Sequence, residues 1–98
     1  MSVLVDFSVF PLDKGESVSS YVAEAVRIIK ESGLPYKLGP MGTCLEGDYE
    51  QVMAVVHRSF KEMQKECRRI YMALKVDYRQ DVSDRLEGKV ASVMKKID

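Results

Sequence analysis

The chain has no tryptophan, a single histidine, two cysteines and three prolines in 98 residues, and its fifteen basic side chains are cancelled by fifteen acidic ones. Each shortage removes a class of function. One histidine cannot anchor a metal cluster, and Cys44 and Cys67 are too far apart in sequence for a CxxC motif, so neither metal nor cofactor is expected. The two cysteines are expected as reduced thiols packed like small hydrophobes. Zero net charge provides no field to recruit nucleic acid or an acidic membrane. The longest basic cluster, KECRR at 65–69, sits where a helix should end, and cations there complement the helix dipole. No apolar run approaches the roughly 20 residues needed to cross a bilayer. The N-terminal MSVLVDFSVF also lacks the basic flank, long apolar stretch and cleavage site of a signal peptide. A cytoplasmic protein with neither nucleic-acid nor membrane partners is the expectation.

Catalytic signatures are equally absent. No Ser-His-Asp arrangement, phosphate loop or metal-ligand set can be read along the chain, so no enzyme is expected. Gly39-Pro40-Met41-Gly42 has the look of a phosphate turn, but no lysine follows it and it opens no helix. It reads as a hairpin turn.

What remains is the composition of one ordinary globular domain over residues 1–98, with 46% hydrophobic and 31% charged side chains. Residues 2–10 alternate with period two: Val3, Val5, Phe7 and Val9 on one side, Leu4, Asp6, Ser8 and Phe10 on the other. That is a strand, stopped by Pro11 and Asp13-Lys14-Gly15. The period then changes to three and four through Val18, Tyr21, Val22, Ala25, Val26 and Ile29. An amphipathic helix is expected from Ser17, as N-cap, to Ser32, ended by Gly33 and Pro35. Two short strands, 36–38 and 43–46, flank the Gly-Pro-Met-Gly turn. A second helix begins at Asp48, with Gln51 completing a capping box. Its apolar stripe is Val52, Val55, Val56, Phe60, Met63 and Cys67, and His57 lies at the border. Residues 70–79 alternate again, and a third helix follows from about Ser83, with Leu86, Val90, Val93 and Ile97 spaced for burial.

The order β-α-β-β-α-β with an added C-terminal helix predicts a ferredoxin-like α+β sandwich, strand order 4-1-3-2, both crossover helices on one face. Asp6 and Ser8 would then share the uncovered face with Lys75, Asp77 and Arg79. Leu4, Phe10, Tyr71 and Ala73 lie there too, a mixed composition suited to association. A homo-oligomer, dimer or tetramer, is expected, through the sheet, an edge strand or the third helix.

The stretch VDFSVFPLDKGESVSSYVAEAVRIIKESGLPYKLGPMGTCLEG, with RRIYMALKVDYR later, resembles the small thiamine-binding protein family. Its more specific parts are F-S-V-x-P-L, G-E-S-V-S, P-M-G-T-x-x-E-G and K-V-D-x-R. The resemblance implies a ferredoxin-like fold, dimers and commonly tetramers, no known catalysis, and binding of thiamine or its hydroxymethylpyrimidine part. An aminopyrimidine needs a few placed polar groups in an apolar slot: a carboxylate for its amine, a hydroxyl for a ring nitrogen. Thr43 and Glu46 are of those types, with Asp6, Ser8 and Ser19 as further candidates. Alternation sets Thr43 and Glu46 on opposite faces unless a bulge near Gly47 re-aims one. Without a ligand, Thr43 answers to β propensity, and Glu46 to a salt bridge or a helix terminus. The chain would then be a protein-interaction or regulatory module.

Overall fold

The computed structural model describes residues 2–98. The elements run β1 (Val3–Pro11), α1 (Ser19–Glu31), β2 (Tyr36–Leu38), β3 (Thr43–Gly47), α2 (Tyr49–Gln64), β4 (Ile70–Tyr78) and α3 (Arg85–Ile97). The four strands form one antiparallel sheet in the order β2-β3-β1-β4, the ferredoxin-like arrangement with a C-terminal helix. Alternation along β1 buries Val3, Val5, Phe7 and Val9 beneath α1 and α2. Leu45 of β3 joins them, with Ala25, Ile28 and Ile29 of α1 and Val52, Val55, Val56 and Met63 of α2. Cys67 is buried and unpaired, and burial pushes its thiol pKa up.

Several boundaries differ from expectation. Helix α1 begins at Ser19, capped by Val18 with no side-chain hydrogen bond, so Ser17 does not cap it. Asp48 does precede α2, yet its side chain makes no capping bond. Gly33 holds the left-handed conformation (φ 79°) that a residue with a side chain resists, and the helix ends there. Helix α3 starts two residues later than expected because Asp84 is itself left-handed (φ 56°).

The larger departure concerns where α3 goes. Val90, Val93 and Ile97 were spaced for burial, but they are 60%, 57% and 68% exposed. The helix is fastened to the sheet at its N-terminal end, by Arg85, Leu86 and Lys89, and its apolar residues beyond that are uncovered. Likewise the apolar side of β4 is incompletely covered: Ile70 and Leu74 pack against the core, but Met72 and Val76 are exposed, because β4 is the outer strand and α2 covers it only in part.

The direction of the peptide groups follows from two bonds at the ends of the ladders. The Leu12 amide donates to the Arg69 carbonyl (2.8 Å), extending the β1–β4 register by one step. Antiparallel bonding alternates, so even-numbered residues of β1 bond odd-numbered residues of β4. The Glu46 amide donates to Pro35 (3.0 Å), on the β2 side. Odd-numbered residues of β3 therefore bond odd-numbered residues of β1.

Candidate functional site

Pairing of β1 with β3 stops at Phe7↔Thr43, while pairing of β1 with β4 runs on to Pro11↔Ile70. Beyond Phe7, one side of β1 therefore has no neighbouring strand. The β2–β3 hairpin turns away there, tied by the Gly39 amide to the Gly42 carbonyl (2.8 Å). Gly42 fits closely at that point: a Cβ on it would lie 3.0 Å from the Phe7 carbonyl oxygen, tight enough that the backbone would have to shift by a few tenths of an ångström.

The gap this leaves is a pocket of about 260 Å³ between α1, the end of β1 and the hairpin tip. Val22, Val26 and Ile29 of α1, with Val18 at its cap, form one wall, Phe7 to Phe10 another, and Leu38 to Thr43 the rim. No ionisable side chain lines it. The hydroxyl-bearing residues bordering it are Thr43, on the helix face opposite Phe7, and Ser8, whose side chain belongs to the other face with Asp6; neither hydroxyl has a hydrogen bond among the described residues. Thr43 is only 4% exposed as a residue, and its hydroxyl, with no protein partner, keeps access to the space beside it. At the mouth, Met41 is 89% exposed.

The other sequence candidates lie elsewhere. Ser19 is exposed at the start of α1, outside the pocket lining. Asp6 stands on the face away from α1 and α2, where it pairs with Lys75 (3.6 Å) and accepts a weak contact from the Cys44 thiol (3.8 Å). Burial, then the Asp6 charge, pushes the Cys44 pKa up. Glu46 is 5% exposed at the far end of β3. The register is regular through Val3↔Gly47, so no bulge re-aims it, and Thr43 and Glu46 stay on opposite faces.

Glu46 is fully engaged. One carboxylate oxygen accepts from the Ser2 hydroxyl (2.8 Å) and the Arg85 amide (3.1 Å), the other from the Leu86 amide (3.2 Å). It thus satisfies N–H groups of the first turn of α3, from a strand some forty residues upstream. Burial pushes its pKa up, but the Arg85 amide, the Ser2 hydroxyl, the Leu86 amide and the Arg85 charge outweigh it and hold the carboxyl below its usual range. Beside it, Asp77 accepts from Lys89 and Arg85, which lowers its pKa as well, and Lys37 pairs with Glu87 (3.2 Å). This end of the sheet is a clasp for α3.

The model of the thiamine-binding protein family matches residues 5–94. The chain belongs to that family. Among relatives in it, a UPF0045 protein of Mycobacterium tuberculosis is 46% identical over 94 residues, covering 95% of this chain and 92% of the relative. A UPF0045 protein of Methanocaldococcus jannaschii is 32% identical over 91 residues, covering 93% and 91%. The crystal structure of the Methanocaldococcus protein superposes with a TM-score of 0.88, covering 94% of this chain and 95% of that one. A Thermotoga maritima structure, named as a candidate thiamine biosynthesis/salvage protein, has a TM-score of 0.80 at 22% identity, covering 93% and 99%, and shares the fold. None of these family relatives bears the name of an enzyme.

In the sequence of this thiamine-binding-family chain the hairpin stood out, and Thr43 on it borders the pocket, whereas the apolar wall of α1 did not stand out as a pocket lining. Val18, Val22 and Val26 sit on the apolar stripe, and pattern alone reads them as core. The available signal was Gly42 together with the early end of β3 against a longer β1. Among the described residues no cluster of His, Cys, Asp or Glu could hold a metal, and no helix is long and apolar enough to cross a membrane.

Proposed function

We propose that this chain is a non-catalytic, cytoplasmic binding protein for thiamine or its hydroxymethylpyrimidine moiety, taken into the pocket between α1 and the β2–β3 hairpin. One observation carries the reading: an uncharged, apolar pocket with the unspent hydroxyl of Thr43 on its helix face and Ser8 at its border. At about 260 Å³ it lies just below the roughly 300–1,000 Å³ of most ligand sites and suits a single ring. Family membership and the name of the Thermotoga protein support thiamine chemistry. With no cation in the lining, a phosphate would remain in solvent. Calorimetry with thiamine, its phosphates and free hydroxymethylpyrimidine tests this. Saturable heat from the free pyrimidine, little altered by phosphorylation of thiamine, is expected. No heat with any of them overturns it.

The chain is further proposed to act as a homo-oligomer, a dimer or tetramer built through the outer edge of β4. Odd-numbered residues of β4 bond β1, so Met72, Leu74 and Val76 turn their N–H and C=O groups to that open edge. A long, apolar, unpaired edge is a template for another strand. A second copy set antiparallel, Leu74 against Leu74, brings exposed Met72 opposite Val76 and Lys75 opposite Ala73, so no like charges meet. Val76→Pro removes an outward N–H without touching the β1–β4 ladder. Light scattering should show wild type as a dimer or tetramer and this variant as a smaller, folded species. A monomeric wild type at micromolar concentration overturns the proposal.

A further inference from the structure

We infer that the main chain of Val9 is the recognition edge of the pocket, and that it selects a ring bearing an amino group next to an unprotonated ring nitrogen. This rests on the ligand reading above and adds the group that decides among ligands.

The alternation that sends even-numbered β1 residues to β4 sends Phe7 and Val9 the other way. Phe7 meets Thr43 there. Val9 meets no strand, because β3 has ended and the hairpin has turned at Met41. Its side chain is buried in the core (5% exposed), it lines the pocket, and no hydrogen bond reaches that edge of it among the described residues. Buried peptide groups are almost always partnered, so a donor and an acceptor left facing a cavity call for an occupant that supplies both complements. Pro11, the next residue on the same edge, has no N–H, so Val9 presents the pair by itself.

A strand residue that turns its N–H and C=O to one side pairs with a matching acceptor and donor held side by side, as an added strand would. On a 4-aminopyrimidine, the exocyclic amine donates to the Val9 carbonyl and the neighbouring ring nitrogen accepts from the Val9 amide. The ring then occupies the rung where β3 stops. Thr43, on the helix face beside it, remains for a substituent such as a hydroxymethyl group. The 4-oxo pyrimidine carries N–H beside C=O and reverses both contacts, donor against donor and acceptor against acceptor.

The test compares 4-amino-5-hydroxymethyl-2-methylpyrimidine with its 4-oxo counterpart on the wild-type chain, by calorimetry and by amide hydrogen exchange. The amino compound should bind about a hundredfold more tightly, the loss expected when two hydrogen bonds become mismatches. Exchange at the Val9 amide should slow in the saturated amino complex, while the Ser8 amide, already bonded to β4, changes little. Equal affinity for the two pyrimidines overturns the inference, as does a Val9 amide left unprotected at saturation. Failure of the pyrimidines and thiamine alike removes the ligand reading together with it. Binding of thiamine with Val9 unprotected removes only the inference.

Discussion

Thr43 and Glu46 stand at opposite ends of β3, both nearly inaccessible, at 4% and 5% exposure. They resemble each other in sequence as polar residues in a short strand. Their surroundings make them opposites. The carboxylate of Glu46 is surrounded by donors of its own chain, whereas the hydroxyl of Thr43 has none among the described residues and faces a cavity. A buried polar group with its capacity spent holds structure, and one with capacity left over is available to a ligand. The two ends of the strand divide the work of the molecule, clasp at one and pocket at the other.

The largest effect that would sharpen this contrast is at the clasp. Glu46→Ala removes the acceptor of two α3 amides and of the Ser2 hydroxyl. It should cost about 2–3 kcal/mol of unfolding free energy, read by urea denaturation, with a loss of helical signal from α3. Ligand affinity should hardly change. A loss of affinity as large as the loss of stability would put Glu46 back among the ligand contacts.

Acid should reach the same end of the sheet. Glu46 has a folded-state pKa depressed below its usual value, so its contribution is complete above the unfolded-state pKa and is lost as pH falls through the folded one. Asp77 is depressed too and adds in the same direction. Stability should therefore fall from neutral pH to below the ordinary carboxylate range, α3 loosening first. Glu46→Gln should flatten that profile. A variant profile parallel to that of wild type would mean that Glu46 does not drive the transition.

The smallest effect belongs to the pocket. Thr43→Val keeps the shape and β-branching while removing the hydroxyl, so stability should shift by less than about 1 kcal/mol. Affinity for the pyrimidine should drop several-fold, worth about 1 kcal/mol. Unchanged affinity would leave Ser8 and the main chain as the polar contacts.

Periodicity made the fold legible, since three-and-four spacing and strict alternation are local properties that each segment must meet to bury one face. The hairpin was legible for the same reason, because Gly39, Pro40 and Gly42 punctuate the chain where it must turn. Leu86, Val90, Val93 and Ile97 show the limit. Their spacing states which face is apolar, but whether anything covers it depends on where the first turn of α3 is fastened. Glu46 was legible only as a pair of alternatives, a ligand carboxylate or a helix-terminus partner, because the helix it serves starts nearly forty residues later.

By itself, then, the sequence determined the element types, their order, the ferredoxin-like topology and the identity of Thr43 and Glu46 as residues beyond the needs of a hairpin. The tertiary structure alone decided that β1 outruns β3, which opens the pocket and frees the Val9 edge, and that α3 is clasped at its base and uncovered beyond. Patterns of side chains are carried in neighbouring residues. Strand lengths after pairing, and the partners of a buried carboxylate, are set between segments distant in the chain, where loop closure and register decide which groups meet.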